Sequence, residues 1–120
     1  MSDIRFYQNI DDKSKFVVSN GPLGKADFAE LIPNSLDAAL EKHVPEYEID
    51  NNKIKVQVGS VVHPMIDTHY IMWIALVHGT EVKMVKLKPN DVPEAIFDYY
   101  EGSIIYAFCN LHGLWKKVVK

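Results

Sequence analysis

The sequence predicts an all-β protein folded as an antiparallel β-sandwich. Short segments rich in β-branched and aromatic residues recur about every ten residues, and turn residues separate them, as is typical of sandwiches. Residues 53–58 alternate strictly between polar and apolar side chains, which indicates a strand with one buried face. Only residues 35–42 have a helical pattern, with Ser35 as a candidate cap, and so short a helix is marginal by itself.

Seven segments are predicted to form strands. They are residues 4–7, 16–18, 53–58, 70–77, 81–88, 95–100 and 103–108. Residues 70–77 are apolar throughout, which suits a strand buried on both faces. Residues 78–80 are expected to form the turn of a hairpin, and residues 101–102 a turn between the last two strands. The alternation slips phase at residues 84–85, which suggests a β-bulge there.

The chain is predicted to have one principal domain and a small appendage. Its 120 residues suffice for one domain with a substantial core. The segment 20–24, Asn-Gly-Pro-Leu-Gly, is rich in turn residues and interrupts the early part of the chain. We therefore expect an N-terminal appendage over residues 1–34 and a principal β-sandwich domain over residues 35–120.

Composition and charge exclude several classes of protein. The 13 Lys and Arg residues against 16 Asp and Glu residues give a net charge of −3, which argues against nucleic acid as a partner. No apolar run approaches the roughly 18 residues of a transmembrane helix, and no secretory signal is visible at the N-terminus. The single cysteine, Cys109, excludes a disulfide within the chain and favours a reducing, cytoplasmic setting without a membrane partner.

Four of the five histidines and the only cysteine lie in turn-like segments at the predicted strand ends. These residues are His43, His63, His69, His112 and Cys109. Imidazole nitrogen and thiolate sulfur suit iron, zinc or copper better than magnesium or calcium. Structural zinc sites typically use several cysteines, so the set fits better with a square-pyramidal iron that has four imidazoles in a plane and one axial thiolate. His78 is expected to be an exposed turn residue.

The large apolar residues near these segments are first of all candidates for the core. Trp73 and Trp115 are expected to be buried, as large aromatics usually are, and Met65 and Met72 to fill gaps between other side chains. Because Trp115 closely follows the Cys-x-x-His turn, we also expect it to shield the cysteine side of a metal from water. Tyr70 either orients the neighbouring His69 or simply packs.

Three stretches around the histidines and the cysteine resemble a known family. They are Glu41-Lys42-His43-Val44-Pro45, His63-Pro64-Met65 through His69-Tyr70-Ile71, and Cys109-Asn110-Leu111-His112-Gly113-Leu114-Trp115-Lys116. In this order and at these spacings they resemble the superoxide reductases, a family that includes neelaredoxin and desulfoferrodoxin. The resemblance covers residues 33–116 and implies a seven-stranded, immunoglobulin-like antiparallel β-sandwich.

The resemblance also implies a metal and its ligands. The metal would be one mononuclear non-haem iron per chain, cycling between Fe2+ and Fe3+. Its equatorial ligands would be His43, His63, His69 and His112, and its axial ligand Cys109. Glu41 would occupy the sixth position in the ferric state, and Lys42 would assist catalysis at the open face.

The implied reaction is the one-electron reduction of superoxide to hydrogen peroxide with uptake of two protons. An external donor, usually a rubredoxin, would then reduce the iron, and the chain would form a homodimer or homotetramer. Because the chain is negative overall, attraction of superoxide has to be local, and Lys42 can supply it. The axial thiolate pushes electron density onto the metal, and we expect the backbone N–H groups near Leu111 and His112 to hydrogen-bond to its sulfur.

The N-terminal part departs from the two-iron members of the family. Those members carry a rubredoxin-like domain in which four cysteines hold a second iron, whereas residues 1–40 contain no cysteine. A second iron centre is therefore ruled out, and the appendage is interpreted as a metal-free remnant of that domain. The alternative function is a non-catalytic metal-binding β-sandwich, either a zinc-stabilised interaction module or an iron redox sensor.

Overall fold

The computed structural model describes residues 3–35 and 40–120, with the backbone but not the side chain of Glu41. The chain divides into two compact units, Met1–Ile32 and Pro33–Lys120. No helix among the described residues is long and apolar enough to cross a membrane.

The first unit is a three-stranded antiparallel sheet. Its strands are β1 (Ile4–Asn9), β2 (Phe16–Asn20) and β3 (Phe28–Glu30), in the order β2-β1-β3. The predicted pairing of residues 4–7 with residues 16–18 is confirmed by the register Phe6↔Val18 and Tyr7↔Val17. β3 was not predicted, because three residues are too few to show a period of two.

The second unit is the immunoglobulin-like antiparallel β-sandwich that the resemblance implied. Its elements are α1 (Leu40–His43), β4 (Pro45–Asp50), β5 (Lys53–Val58), β6 (Ile71–His78), β7 (Glu81–Lys86), β8 (Glu94–Asp98), β9 (Ile104–Cys109) and β10 (Gly113–Val118). The described strands form a four-stranded sheet, β10-β9-β6-β7, and a three-stranded sheet, β4-β5-β8. The seven strands agree with the expected number.

The core lies between the inner faces of these two sheets. The strict alternation in β5 is confirmed, since Ile54, Val56 and Val58 are fully buried while Lys53 and Lys55 are exposed. β6 is buried on both faces from Ile71 to Val77 except at Met72, which is half-buried, as its continuous apolar sequence predicted. Side chains from β8 and β9 complete the same cluster, which therefore joins both sheets.

One interpretation of a strand irregularity was wrong. β7 pairs with β6 without interruption from Glu81 to Lys86, so there is no bulge at Met84 and Val85. The irregularity lies instead in β6, where Met72 is the extra residue between the pairs Ile71↔Cys109 and Trp73↔Phe108.

Both predicted turns are confirmed. The hairpin between β6 and β7 has Gly79 in the left-handed region at a φ of 63°. Residues 101–102 form the turn between β8 and β9, which carries the chain from one sheet to the other.

Two strands were not predicted, and the predicted helix is only partly described. β4 and β10 were missed; each is the edge strand of its sheet, β4 opens with Pro45, and β10 has two successive lysines. The predicted helix over residues 35–42 is represented by α1, and residues 36–39 lie outside the described part of the chain.

The contrast between the two faces of the smaller sheet is testable with two isoleucines. Ile54→Ala removes a fully buried side chain and is expected to lower the free energy of unfolding by about 2–5 kcal/mol. Ile96→Ala, on the neighbouring strand, removes a side chain that is 64% exposed and should change it by no more than about 0.5 kcal/mol. Urea denaturation of the two variants measures both values; equal losses would contradict the described burial.

Candidate metal centre

The sheet pairing brings the predicted donor residues to one end of the sandwich. β6 starts just after His69 and β9 ends at Cys109, and the register Ile71↔Cys109 sets these two points side by side. β4 starts just after His43, and its first residue pairs with Val58, the last residue of β5. The loop from β5 to β6 starts at the same end and carries His63.

Four imidazole rings form a closed ring of neighbours in the order His43, His63, His69, His112. Neighbouring centroids are 4.7, 4.8, 5.1 and 4.8 Å apart, and neighbouring rings meet edge to face at 75–83°. Across the ring, the centroids of His43 and His69 are 6.4 Å apart, and their planes are nearly parallel at 29°. We call these four residues and Cys109 the His–Cys cluster.

The donor atoms of the cluster converge. His43 Nε2 lies 3.1 Å from His112 Nδ1, and Cys109 Sγ lies 3.9 Å from the same His112 atom. One donor atom from each of His43, His69, Cys109 and His112 lies within 4.8 Å of all the others. His63 joins this group through its ring contacts with His43 and His69.

His63 is held in one tautomer. Its Nδ1 lies 2.7 Å from the carbonyl oxygen of Pro64, so Nδ1 carries the proton and donates it. Its Nε2 is buried and has no hydrogen-bond partner among the described residues. Burial first, and then the neighbouring imidazoles, lower the pKa of His63 to about 4, although the contact with Pro64 opposes this. The ring is therefore neutral at neutral pH, with its Nε2 lone pair free to bind a metal.

His69 presents a second such nitrogen. Its Nε2 is also buried without a hydrogen-bond partner in the described part of the chain. Burial is the main cause that lowers the pKa of His69, followed by the charges of His112, His43 and Lys42. The side chain of Lys42 is exposed, so an ammonium group in solvent lies close enough for its field to act at His69.

Cys109 ends β9 with its side chain fully buried. Burial raises the pKa of its thiol, while hydrogen bonds from the backbone N–H groups of Leu111 and His112 oppose that rise. The expectation that these two N–H groups donate to the sulfur is confirmed. Such donors stabilise a thiolate once a metal displaces the proton.

Trp115 supports two of the histidines. Its indole stacks on the ring of His43 at 5.2 Å and 27°, and its Nε1 donates to the carbonyl oxygen of His112 at 3.0 Å. The predicted burial of Trp115 is confirmed, at 1% exposure. That it shields the cysteine side of a metal from water stays a prediction.

The segment that carries His69 is held by polar contacts that the sequence did not reveal. Ile66 and His69 exchange two backbone hydrogen bonds of 3.0 Å, and Met65 Sδ accepts the N–H of Ile71 at 3.3 Å. The side chain of Asn110 contacts Thr68 and Tyr70. Met65 thus does more than fill the core, and Asn110 was not singled out, because an asparagine in a turn carries no distinctive pattern.

The cluster has the chemistry and dimensions of a metal site. A metal–imidazole bond is about 2.1 Å, with the centroid roughly 1 Å behind the nitrogen, so two opposed rings sharing an ion have centroids about 6 Å apart. The 6.4 Å between His43 and His69 agrees with this. Buried nitrogens without partners are unfavourable, and an ion would give His63 and His69 the partner they lack.

His78 is not part of this cluster. His78 is exposed, as predicted, and stacks on Tyr100 at 4.6 Å. Glu41 lies in α1, but its side chain lies outside the described part of the structure. The binding of a metal by the cluster, and the roles of Glu41 and Lys42, stay predictions.

A sandwich with a His–Cys cluster at one end defines a class of β proteins suited to binding a metal, and comparison with known sequences identifies the family. The family model described as Desulfoferrodoxin matches residues 35–118. The chain belongs to the desulfoferrodoxin family. A desulfoferrodoxin from Clostridium acetobutylicum is 47% identical over 93 residues, covering 78% of this chain and 74% of that protein. One from Desulfarculus baarsii is 40% identical over 105 residues, covering 82% and 83%.

Solved structures with the same fold are named superoxide reductases. The superoxide reductase from Treponema pallidum superimposes with a TM-score of 0.78 and 31% identity, covering 95% of this chain and 98% of that one. A one-iron superoxide reductase from Giardia intestinalis superimposes with a TM-score of 0.58 and 32% identity, covering 67% of this chain and 98% of that one.

Metal binding by the cluster is testable by comparing His63, which lies in the cluster, with His78, which lies outside it. His63→Ala is expected to weaken Co2+ binding by at least about tenfold, because loss of a donor exceeds the usual cost of a lost supporting contact. His78→Ala should leave the affinity unchanged, since His78 is exposed and stacks on Tyr100. Competition titration against a chelator measures both. Equal affinity of His63→Ala and the unaltered protein would remove His63 from the site.

Proposed function

We propose that this protein is a superoxide reductase. The observation that carries the proposal is the convergence of four imidazoles and one thiolate at one end of the sandwich. Family membership and solved relatives named superoxide reductases support it. The reaction consumes one superoxide, one electron and two protons, and it yields one hydrogen peroxide.

The metal that we propose is a mononuclear iron, one per chain. Its ligands would be His43, His63, His69, His112 and Cys109. Iron bound there would supply the single electron, passing between its ferrous and ferric states. From the family resemblance we carry over Glu41 as a further ligand of the oxidised metal.

The chain's own residues prepare this site before any metal enters. The Pro64 carbonyl fixes the tautomer of His63, so that Nε2 is the basic nitrogen. Burial lowers the pKa of His63 and of His69, which keeps these rings neutral and able to bind a cation at neutral pH. The N–H groups of Leu111 and His112 withdraw charge from the sulfur of Cys109 and so set how strongly it donates.

Lys42 is proposed to attract the substrate. The chain carries a net charge of −3, which repels an anion such as superoxide. The ammonium of Lys42 is exposed, and its field acts at His69. A local positive charge of this kind raises the capture rate of an anion. The two protons are proposed to come from water near Lys42.

The electron donor that we propose is a rubredoxin, in accordance with the family resemblance. Exposed apolar side chains flank the cluster and offer a contact surface: Val62 precedes His63, and Leu111 precedes His112, with exposures of 62% and 56%. Because Cys109 has to be reduced to bind a metal, we also propose a cytoplasmic setting. The assembly that we propose is a homodimer or homotetramer.

The thiolate provides the direct test of the site. Iron-loaded, oxidised protein should show a visible thiolate-to-metal charge-transfer band, and Cys109→Ser should lose both this band and most of the activity. In a single turnover, reduced protein should yield one hydrogen peroxide for each superoxide consumed, without release of oxygen. A Cys109→Ser protein with the band and full activity would contradict the proposal.

The same measurement with superoxide in excess over the protein distinguishes the competing functions. Catalytic formation of one oxygen and one peroxide from every two superoxides, with the iron returning to its reduced state, would indicate a dismutase. No oxidation of the iron by superoxide would favour the non-catalytic metal-binding module. Either outcome would overturn the proposed reaction while leaving the metal site intact.

The proposed role of Lys42 predicts a dependence on ionic strength. Lys42→Ile should slow superoxide capture by roughly tenfold at low salt and flatten its salt dependence, because the local attraction is lost. Lys83→Ile removes the same charge from β7, where Lys83 pairs with Leu76, five residues beyond Ile71, and should have little effect. Pulse radiolysis at several salt concentrations measures this; equal salt slopes in the two variants would exclude local attraction by Lys42.

A further inference from the structure

Asn110 joins the two segments that carry Cys109 and His69. It directly follows Cys109, and its backbone N–H donates to the carbonyl oxygen of Tyr70 at 3.2 Å. Its side-chain Oδ1 accepts the N–H of Tyr70 at 2.9 Å, and its Nδ2 donates to the carbonyl oxygen of Thr68 at 3.1 Å. Three hydrogen bonds from one residue therefore hold the peptide groups on both sides of His69.

The sheet does not supply these bonds itself. β6 begins at Ile71, so Thr68, His69 and Tyr70 lie outside its regular pairing. The pairing of β6 with β9 is also irregular at Met72, next to the same point. An extra residue in one strand disrupts the ladder locally. Beyond this irregularity, the side-chain amide of Asn110 supplies the hydrogen bonds between the end of β9 and the residues that precede β6.

The backbone groups that contact the Asn110 side chain require both its carbonyl oxygen and its NH2 group. An N–H group can only donate and a carbonyl can only accept, so Oδ1 has to face Tyr70 and Nδ2 has to face Thr68. Aspartate retains the acceptor but loses the donor to Thr68, and alanine loses both. The two substitutions thus remove one or both side-chain contacts.

We infer that Asn110 is a positioning residue that sets His69 against Cys109. The donor atoms of these two residues belong to the group that lies within 4.8 Å of one another. In the described part of the chain, the backbone of His69 hydrogen-bonds to Ile66 within the same loop, so the contacts at Thr68 and Tyr70 fix where this segment lies relative to β9. This inference rests on the proposed function for the metal that the two side chains would share.

The test compares Asn110→Ala and Asn110→Asp with a matched control. Asn110→Ala is expected to weaken Co2+ binding by roughly 10- to 100-fold, the usual cost of losing a contact that orients a ligand. It should also shift the thiolate-to-metal band of the iron-loaded protein. Asn110→Asp should lie between Asn110→Ala and the unaltered protein in both measurements, because it retains the acceptor for Tyr70.

The control is Asn34→Ala, the counterpart of Asn110→Ala elsewhere in the sandwich unit. Asn34 Oδ1 accepts the N–H of Lys116 at 3.0 Å, so this asparagine also holds a backbone segment, and alanine removes that contact. Asn34→Ala should leave both Co2+ affinity and band position unchanged. Urea denaturation of all metal-free variants establishes whether each one is folded.

The outcomes separate the inference from the proposed function. Folded Asn110→Asp with unchanged Co2+ affinity and an unchanged band would overturn the positioning role. A loss in Asn34→Ala equal to that in Asn110→Ala would overturn it as well, since the loss of any side-chain contact to the backbone would then have the same effect. Failure of the unaltered protein to bind metal or reduce superoxide would instead contradict the proposed function.

Discussion

The antiparallel pairing of β6 with β9 is the constraint on which the His–Cys cluster depends. It places the start of β6, next to His69, beside the end of β9 at Cys109. These residues are forty positions apart along the chain, and local structure alone would not bring them together. The buried apolar faces of both strands hold that register, because a slip by one residue would turn core side chains toward the other face. The core therefore positions the donors.

The sequence was most informative where a strong period or a rare residue type was present. The alternation of β5 and the apolar run of β6 predicted both strands, and the single cysteine directed attention to the correct turn. β4 and β10 were missed because edge strands pair on one side only and tolerate charges and proline. Contacts between a side chain and a distant backbone, such as those of Asn110 and Met65, leave no periodic pattern.

The location of the donors was predicted better than their surroundings. The five candidates were chosen by residue type and by their position at strand ends, and the structure brings them together. The mutual arrangement of the rings depends on loop conformation, which the sequence does not encode in a short motif. The stacking of Trp115 on His43 was likewise not predictable, since it depends on how β10 follows the turn. The residue types and their positions thus identified the candidate donors, whereas the contacts that hold these donors in place were evident only from the three-dimensional structure.

The buried position of Cys109 also has a consequence for the period before a metal is bound. A thiolate reacts with peroxide far faster than a thiol, and solvent access is needed as well. In the metal-free chain the sulfur is fully enclosed, and burial raises its pKa, so it stays protonated. The folded, metal-free protein can therefore persist among oxidants with its only thiol intact. The fold would thus preserve this donor for a metal that binds later.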